Sequence, residues 1–342
     1  MNAVELKLFA SRIAAVCDEM GVVLRRAAFS PNIKDRLDFS CALFGRDGQL
    51  IGQAAHIPVH LGSMAFAMGD LVRQRAWRPA DMLVVNDPYL GGTHLPDVTV
   101  IAPVFVNNTL IGFVANRAHH ANIGCETPGS MPMSQHLEEE GLVIPPTLLF
   151  SSGQLQQSCL DLLQMPAGRL DGDLAAQVGA NQLGVRRLCE LVNGMGRVSF
   201  KAGMHELDAY ADRIMEKLID ALTPGIYSFE DFLDDDGFGN SAIPLSLSLT
   251  VEAQSVDLNF AGSSDMVPGN LNCPESVVAA AVYYCFRCLL PDEFPSCSGL
   301  FRRLKIKTRS RSILNAERPA AVAAGNVETS TRLVDLIFGA LA

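Results

Sequence analysis

The chain has 342 residues, of which 49% are hydrophobic and 19% are charged, and its formal net charge is −10 at pH 7. This length suffices for a large buried core, and the acidic balance argues against binding of nucleic acid or an anionic membrane surface, because phosphate contacts need clustered lysines and arginines. No stretch reaches the ~20 uninterrupted apolar residues of a membrane span, the amino terminus lacks the apolar region of a signal peptide, and nine scattered cysteines favour a reducing cytoplasm over a disulfide framework.

The first half of the chain alternates helical and strand patterns. Its predicted elements, in chain order, are a helix over residues 2–28, strands over 38–44 and 49–53, a helix over 63–75, strands over 82–85, 98–105 and 110–115, a loop over 121–146 and a helical region over 172–222 that breaks near 194–196. Ser63 is the predicted cap of the second helix, and the loop before it carries His56 and His60. The long loop is predicted to be functional, since plain connectors are shorter.

The second half changes character after Thr223-Pro224-Gly225. Strands are predicted over residues 226–232, 245–260 and 301–308, and helices over 277–290 and 327–341. The predicted fold is a mixed α+β protein, with a β-hairpin-rich N-terminal half that also carries helices, followed by a sheet flanked by helices. We expect two domains, the first over 1–223 with a helical C-terminal part and the second, of α/β type, over 224–342.

The strands on either side of Val106-Asn107-Asn108-Thr109 should form an antiparallel hairpin, because paired asparagines favour the backbone of a two-residue turn. With the two asparagines as the central residues, the numbers of opposed positions sum to 215. Pro96 then faces His119, and Asp97 faces Ala118. This register predicts that Asp97 and His119 lie at the same mouth of the hairpin.

Three residues, His94, Asp97 and His119, are the candidate metal ligands. His94 precedes Asp97 by three residues and can fold back onto the same place, and two imidazoles with a carboxylate form a divalent-metal site with open positions. His120 is an alternative to His119 as the third ligand. Only one of the two is expected to bind the metal, because neighbouring residues on a strand point to opposite faces. The alternative is ordinary turn chemistry around Pro96 with solvated or hydrogen-bonded histidines. On the first interpretation, the first domain is a metal-site domain.

Three further patterns each have two interpretations. Cys125 lies close to two histidines and could act as a nucleophile, although buried inert thiols are commoner. Asp173, Gln177 and Asn181 share a helical face, which either reaches a site or forms a hydrogen-bonded exposed surface. The run Glu138-Glu139-Glu140 either supplies a general base or a fourth metal ligand, or it is a solvated group of charges.

A series of motifs extends along nearly the whole chain. These motifs are Asn86-Asp87-Pro88-Tyr89, Gly91-Gly92-Thr93-His94-Leu95-Pro96-Asp97, Arg117-Ala118-His119-His120-Ala121-Asn122-Ile123-Gly124, Glu140-Gly141-Leu142-Val143-Ile144-Pro145-Pro146, Asp173-Leu174-Ala175-Ala176-Gln177, Gly262-Ser263-Ser264 and Gly325-Asn326-Val327-Glu328-Thr329-Ser330. Their order resembles the hydantoinase B/oxoprolinase family, which includes the B subunit of N-methylhydantoinases and the α subunit of acetone carboxylases.

The resemblance implies ATP-driven hydrolytic opening of a cyclic amide, such as a hydantoin, 5-oxoproline or a lactam, by a hetero-oligomer with a hydantoinase A-type ATPase subunit. It implies that ATP binds that partner, and this sequence has no Gly-x-x-x-x-Gly-Lys-Ser/Thr loop of its own. It also implies that a divalent metal, Zn, Mn or Fe, is held by His94, Asp97 and His119. Such a metal can activate water for attack on the carbonyl carbon.

Catalytic roles are expected for Asp87 and Glu140, either of which could shuttle a proton near the metal, and for His120. Two other functions stay open, the α subunit of an ATP-dependent ketone (acetone-type) carboxylase and a truncated, non-catalytic interaction subunit. The resemblance also implies that family chains usually continue beyond the helix predicted here over 327–341. The chain is therefore expected to be short at its C-terminus relative to the family, with a truncated second domain, and to be inactive without its partner subunit.

Overall fold

Two β-sheets covered by helices form the framework of the computed structural model, which describes residues 1–55, 57–127, 129, 131–170, 172–291 and 294–342. The helices of this described part are α1 (Ala3–Ala27), α2 (Pro31–Lys34), α3 (His60–Arg73), α4 (Gln157–Leu162), α5 (Gly172–Met195), α6 (Arg197–Ala221), α7 (Glu275–Cys288) and α8 (Glu328–Leu341). Its strands are β1 (Phe39–Gly45), β2 (Leu50–Ala55), β3 (Met82–Val85), β4 (Asp97–Val106), β5 (Thr109–His119), β6 (Thr147–Ser151), β7 (Gln154–Leu155), β8 (Gly225–Asp235), β9 (Ser241–Val251), β10 (Val256–Asn259) and β11 (Leu304–Lys307). The mixed α+β fold predicted from the sequence is confirmed.

The first sheet has seven antiparallel strands in the order β2-β1-β5-β4-β3-β6-β7. Helices α1 and α5 pack against each other, α1 on β1 and β2 and α5 on β4 and β5, and α3 contacts β1, β2 and α7. Because these strands are covered, every residue of β1 is buried and β4 is buried at all positions but one. Since β5 lies antiparallel between β1 and β4, the starts of β1 and β4 meet the end of β5 at one end of the sheet.

The hairpin of β4 and β5 has the predicted turn, but the predicted register is wrong. The two central asparagines, 107–108, adopt left-handed backbone angles with φ of 49° and 58°, as a type I′ turn requires. A β-bulge at 104–105 then shifts the pairing by one residue. Asp97 therefore pairs with His119, and not with Ala118. The bulge matters for the site, because a slip of one residue moves a side chain to the opposite face of the sheet.

The second sheet has the order β11-β10-β9-β8, with β10 and β11 parallel and the other pairs antiparallel. Along β9, alternate side chains are buried, as the sequence predicts for residues 245, 247, 249 and 251. These side chains pack with α7 and α8 into a second hydrophobic core, separate from the core of the first sheet. Helix α6 contributes to both cores, and a domain boundary at 223/224 stays a prediction.

Helix α3 begins earlier than the sequence predicts. His60 is its first residue, and Ser63 lies inside the helix, where its hydroxyl donates to the Val59 carbonyl oxygen at 2.9 Å instead of capping the end. His56 lies outside the described residues. The break between α5 and α6 falls at Gly196, with φ of 83°, as predicted. Among the described residues, no helix has both the length and the apolarity needed to cross a membrane.

Candidate metal centre

The candidate metal centre lies where the ends of three strands meet the start of α3. Asp97 is the first residue of β4, and His119 is the last residue of β5. Asp38 precedes β1, and its carbonyl oxygen accepts a hydrogen bond of 3.0 Å from the His119 amide. His60 begins α3, and His94 lies in the loop that leads into β4. Four separate segments of the chain therefore bring their side chains to one place.

His94, Asp97 and His119 form a nearly equilateral triangle of ligand atoms. The Asp97 Oδ1 atom lies 3.3 Å from His94 Nε2 and 3.3 Å from His119 Nδ1, and the two nitrogens are 3.2 Å apart. Three ligands on one face of a tetrahedral ion, with bonds of ~2.1 Å, would be ~3.4 Å apart. The His94 Nδ1 atom lies 3.4 Å from the Ala323 carbonyl oxygen. That contact assigns the proton to Nδ1 and leaves the Nε2 lone pair facing the centre.

Asp38 and His60, which the sequence reasoning did not select, join the same cluster. His60 Nε2 lies 3.3 Å from Asp97 Oδ2 and 3.9 Å from Asp38 Oδ1, and the other Asp38 oxygen lies 3.7 Å from His119 Nδ1. Among the described residues, two groups of side chains could hold a metal ion, one formed by the predicted triad and one by Asp38, His60 and Asp97. Asp97 belongs to both.

The cluster perturbs the protonation of its own members. Burial alone would raise the pKa of Asp97, but His94, His60 and His119 outweigh this effect and hold that pKa well below its usual range. Burial and the charge of Asp97 raise the pKa of Asp38. Burial would lower the pKa of His94, but the Asp97 carboxylate reverses the effect and raises it. Two carboxylates and three imidazoles in one mostly buried place suit a divalent cation, which would compensate the negative charges.

Glu140, a predicted catalytic residue, is buried next to this cluster. Its Oε1 atom accepts hydrogen bonds from the Ser134 hydroxyl at 2.9 Å and from the Val322 and Ala323 amides at 2.8 Å each. Within the described part of the chain, its Oε2 atom has no hydrogen-bond partner. Burial raises the pKa of Glu140 to about 7. Because Ala323 also contacts His94 through its carbonyl oxygen, the backbone of this one residue connects Glu140 to the triad.

The other two predicted catalytic residues lie outside both ligand groups found among the described residues. Asp87 is buried, accepts a hydrogen bond of 3.1 Å from the Tyr89 amide, and forms a salt bridge with Arg318. His120 Nε2 lies 2.8 Å from the Gln177 side-chain oxygen, and burial lowers the pKa of His120. Their contacts hold these two side chains to neighbouring elements instead of directing them to the triad.

Two of the three residues in the polar stripe on α5 face the sheet, so the interpretation of the stripe as an exposed surface is wrong for them, whereas Asp173 is half-buried and accepts a hydrogen bond of 2.7 Å from the Phe29 amide. Gln177 and Asn181 are buried. Gln177 Nε2 donates to Asn116 Oδ1 at 2.9 Å, and Asn181 Oδ1 accepts from Asn116 Nδ2 at 2.8 Å. They also donate to carbonyl oxygens of β4 at 2.8 and 2.9 Å. The stripe thus fixes α5 against the strands that carry the triad.

Cys125 is half-buried, and its thiol faces the Glu139 carbonyl oxygen at 3.6 Å.

Arg117 is a supporting residue that the sequence reasoning missed. Its buried guanidinium donates to Thr99 Oγ1 at 2.8 Å, Ser63 Oγ at 2.7 Å and the Gly91 carbonyl oxygen at 2.9 Å. These acceptors belong to β4, α3 and the loop before His94. Burial lowers the pKa of Arg117 to about 10. A lone arginine in a strand gives no local signal for such a role, because its partners come from distant segments.

A family model described as hydantoinase B/oxoprolinase matches residues 2–342. The chain belongs to the hydantoinase B/oxoprolinase family. The match confirms the resemblance seen in the motifs.

Individual relatives agree with this assignment. The chain is 36% identical to 5-oxoprolinase 1 of Arabidopsis thaliana, over 99% of the chain and 29% of that protein. The crystal structure of the ATP-dependent caprolactamase from Pseudomonas jessenii is similar to this chain, with a TM-score of 0.92 and 27% identity. The match covers 100% of this chain and 60% of the caprolactamase chain. The match to an acetone carboxylase structure covers 99% of this chain and 48% of the carboxylase chain, with a TM-score of 0.88. At 18% identity, this match shows a shared fold alone. The chain spans less than two thirds of the length of each of these relatives.

Proposed function

We propose that this family member is the metal-dependent hydrolytic subunit of an ATP-dependent cyclic amidase. The observation that carries the proposal is the triangle of His94, Asp97 and His119, whose ligand atoms are 3.2 to 3.3 Å apart. This spacing is close to the ~3.4 Å expected for three ligands on one face of a tetrahedral ion. Within the described chain, the buried Asp97 Oδ1 has no hydrogen-bond partner, which is unfavourable unless a cation binds there.

A divalent metal held by these residues, with Asp38 beside them, would supply Lewis acidity and activate water at neutral pH. The surrounding residues hold the ligands in place. The Ala323 carbonyl oxygen orients His94, and Thr93 donates a hydrogen bond to Asp97. Ligands whose orientation is fixed in this way bind a divalent transition metal more tightly.

Glu140 is our candidate for the group that moves a proton. A carboxyl whose pKa is about 7 exchanges a proton readily at neutral pH, which suits a general acid or base. Since Oε1 accepts three hydrogen bonds, the proton of the neutral form belongs on Oε2. In ring opening, that proton would go to the nitrogen that leaves when the amide C–N bond breaks. Asp87 and His120 would act by positioning neighbouring elements.

The substrate would be a cyclic amide such as a hydantoin, 5-oxoproline or a lactam, and a separate A-type subunit would bind ATP. The sequence lacks a phosphate-binding Gly-x-x-x-x-Gly-Lys-Ser/Thr loop. The names of two similar proteins, 5-oxoprolinase and ATP-dependent caprolactamase, support both the substrate class and the need for ATP. We therefore propose a hetero-oligomer as the active form.

Metal analysis followed by reconstitution tests the proposal. We expect the purified protein to contain at least one equivalent of Zn, Mn or Fe, and Asp97→Asn to lose most of it, because the shared ligand oxygen becomes a neutral amide. The control is His205→Gln, which changes an exposed histidine on α6 and should retain the metal. With an A-type subunit, a hydantoin, 5-oxoproline or a lactam should stimulate ATP hydrolysis. A folded protein without metal, or stimulation only by acetone with bicarbonate, would contradict the proposal.

A further inference from the structure

The candidate metal centre reaches solvent past Asp38 and His119. Their side chains are 24% and 12% exposed, whereas each of the other three side chains of the cluster is at most 3% exposed. Asp38 ends the connection from α1 to β1, and its amide donates to the Asn32 carbonyl oxygen at 2.9 Å. A molecule that approaches the centre from this side therefore meets the segment that follows α1.

That segment concentrates positive charge. Residues 22–37 contain one carboxylate, that of Asp35, and four exposed cations, which are Arg25, Arg26, Lys34 and Arg36. Arg25 Nε donates to the Lys34 carbonyl oxygen at 3.0 Å, which joins the ends of α1 and α2. Within the described chain, no carboxylate forms a salt bridge with any of these four cations. On a chain whose net charge is −10, such a surface attracts an anionic partner.

The positive surface borders the opening of the centre. Three of its cations, together with Val22 and Asp35, line an open cleft of about 520 Å³. Arg36 lies two residues before Asp38, so the Cα atoms of these two residues are at most ~7.6 Å apart. By the same measure, the Lys34 Cα atom is within ~15 Å of that of Asp38. A partner bound to the cations would therefore sit beside the candidate ligands.

Phe29 adds an apolar side chain to the same surface. It lies between α1 and α2 in the chain, and it is 75% exposed. Asp173 Oδ1 accepts hydrogen bonds from the Phe29 amide at 2.7 Å and from the Ser30 amide at 3.2 Å, so the backbone that presents the ring is fixed to α5. Aromatic and arginine side chains are enriched in contacts between proteins, and a fixed backbone lowers the entropic cost of binding.

Two other interpretations of this surface are weaker. Solvated lysines and arginines are common on protein surfaces, but solvation does not account for an exposed phenylalanine that is held at a fixed position. A second copy of this chain is acidic and could bind the cations, but it would cover the opening past which a substrate enters.

We propose that residues 22–36 form the docking surface for the ATP-binding A-type subunit, whose complementary surface is acidic and has a pocket for Phe29. The inference rests on the proposed function, in which ATP binds one subunit and the metal binds the other, so that the two sites must face each other across a contact near the opening. Charge complementarity would speed association and fix the orientation of the two subunits. Burial of the Phe29 ring would slow their dissociation.

Binding of the A-type subunit from the same source organism to the full chain tests this inference. The Kd is measured by titration calorimetry at low and at high NaCl concentration. We expect Arg25→Glu/Arg26→Glu to raise the Kd about 10-fold or more at low salt and less at high salt, because salt screens charge pairs. Phe29→Ala should raise it about 10-fold at both salt concentrations. The control Lys201→Glu/Lys217→Glu reverses two exposed charges on α6 and should keep the wild-type Kd.

The outcomes separate this inference from the proposed function. A wild-type Kd in both the charge-reversed variant and Phe29→Ala would overturn the docking surface and leave the proposed function in place. No binding between the two folded wild-type subunits would contradict both proposals. A wild-type homodimer that Arg25→Glu/Arg26→Glu dissociates would assign the surface to a second copy and overturn the inference. Should the variants fail to fold, hydrogen exchange of the wild-type complex decides, since unchanged exchange of the amides of residues 25–36 contradicts docking there.

Discussion

The carboxyl group of Glu140 gives a direct test of the electrostatics beside the candidate metal centre. It is 0% exposed, and one of its oxygens has no hydrogen-bond partner within the described chain. The substitution Glu140→Gln keeps the shape of the side chain and an oxygen that can accept the existing hydrogen bonds. It removes the ability to ionise. Any effect that depends on pH therefore reports the buried charge itself.

The expected magnitude follows from the pKa of Glu140. Burial raises this pKa from its ordinary value of 4.5 to about 7. Between these two pH values, the folded protein keeps a proton that the unfolded chain releases, so rising pH destabilises the fold. At 1.36 kcal/mol per pKa unit, the loss is about 3 kcal/mol above pH 7 and vanishes below pH 4.5. Glutamine at this position has no proton to lose and escapes the penalty.

The assay compares the free energies of unfolding of the wild type and the variant in urea, with a chelator present in both. The contributions of other titrating groups cancel in the difference between the two proteins. The free energy of unfolding of Glu140→Gln, relative to that of the wild type, should therefore rise by about 2–3 kcal/mol between about pH 5 and about pH 8. Glu138→Gln changes an exposed neighbour and leaves the buried Glu140 carboxyl in place, so it serves as the matched control for a substitution in this segment. A difference between Glu140→Gln and the wild type that does not vary with pH would refute the reasoning about the burial of Glu140.

Two predictions concern the elements that support the site. Asn116→Leu leaves the two buried amides of α5 without their shared partner and should lower the free energy of unfolding by about 2–5 kcal/mol in urea, whereas a loss below about 1 kcal/mol would contradict this account. A Cβ at Gly91 would lie 1.7 Å from the Ala67 Cβ atom, at a φ of +94°, whereas Gly168 has a similar left-handed backbone and no atom within 4 Å. In the same measurement, Gly168→Ala should cost about 1–2 kcal/mol and Gly91→Ala about 1–3 kcal/mol more, and equal losses would disprove the proposed overlap.

The hairpin shows what sequence patterns can predict about the site and what they leave out. The paired asparagines correctly predicted the turn, and the apolar runs on either side predicted both strands. In the predicted register, Asp97 faces Ala118, which is one residue before His119. The side chains of Asp97 and His119 would then point to opposite faces of the sheet. The bulge brings them into direct register. A signal for it was present in Gly112, whose Cβ would lie 2.2 Å from the Phe44 carbonyl oxygen, since glycine inside a strand often marks a bulge or a close approach of two backbones.

Asp38 and His60 were beyond the reach of local patterns. The sequence pattern predicts Asp38 at the start of a strand and His60 in a loop, and in the structure Asp38 directly precedes β1 and His60 is the first residue of α3. Their role depends on the order of strands in the sheet, in which β1 lies beside β5. Periodicity fixes the faces of an element but not its neighbours, so contacts between residues far apart in sequence need the topology.

Arg117 holds the candidate metal ligands in their arrangement without a cation. It lies two residues before His119 on β5, and its guanidinium reaches β4, α3 and the loop that leads to His94. Within the described part of the chain, no carboxylate forms a salt bridge with this buried guanidinium, which is unfavourable, and burial lowers the pKa of Arg117 to about 10. Its three hydrogen bonds offset part of that cost and connect all the elements that supply imidazoles to the cluster. Since the chain already fixes these elements, cation binding need not also supply the free energy to order them, which favours tight binding at this end of the sheet.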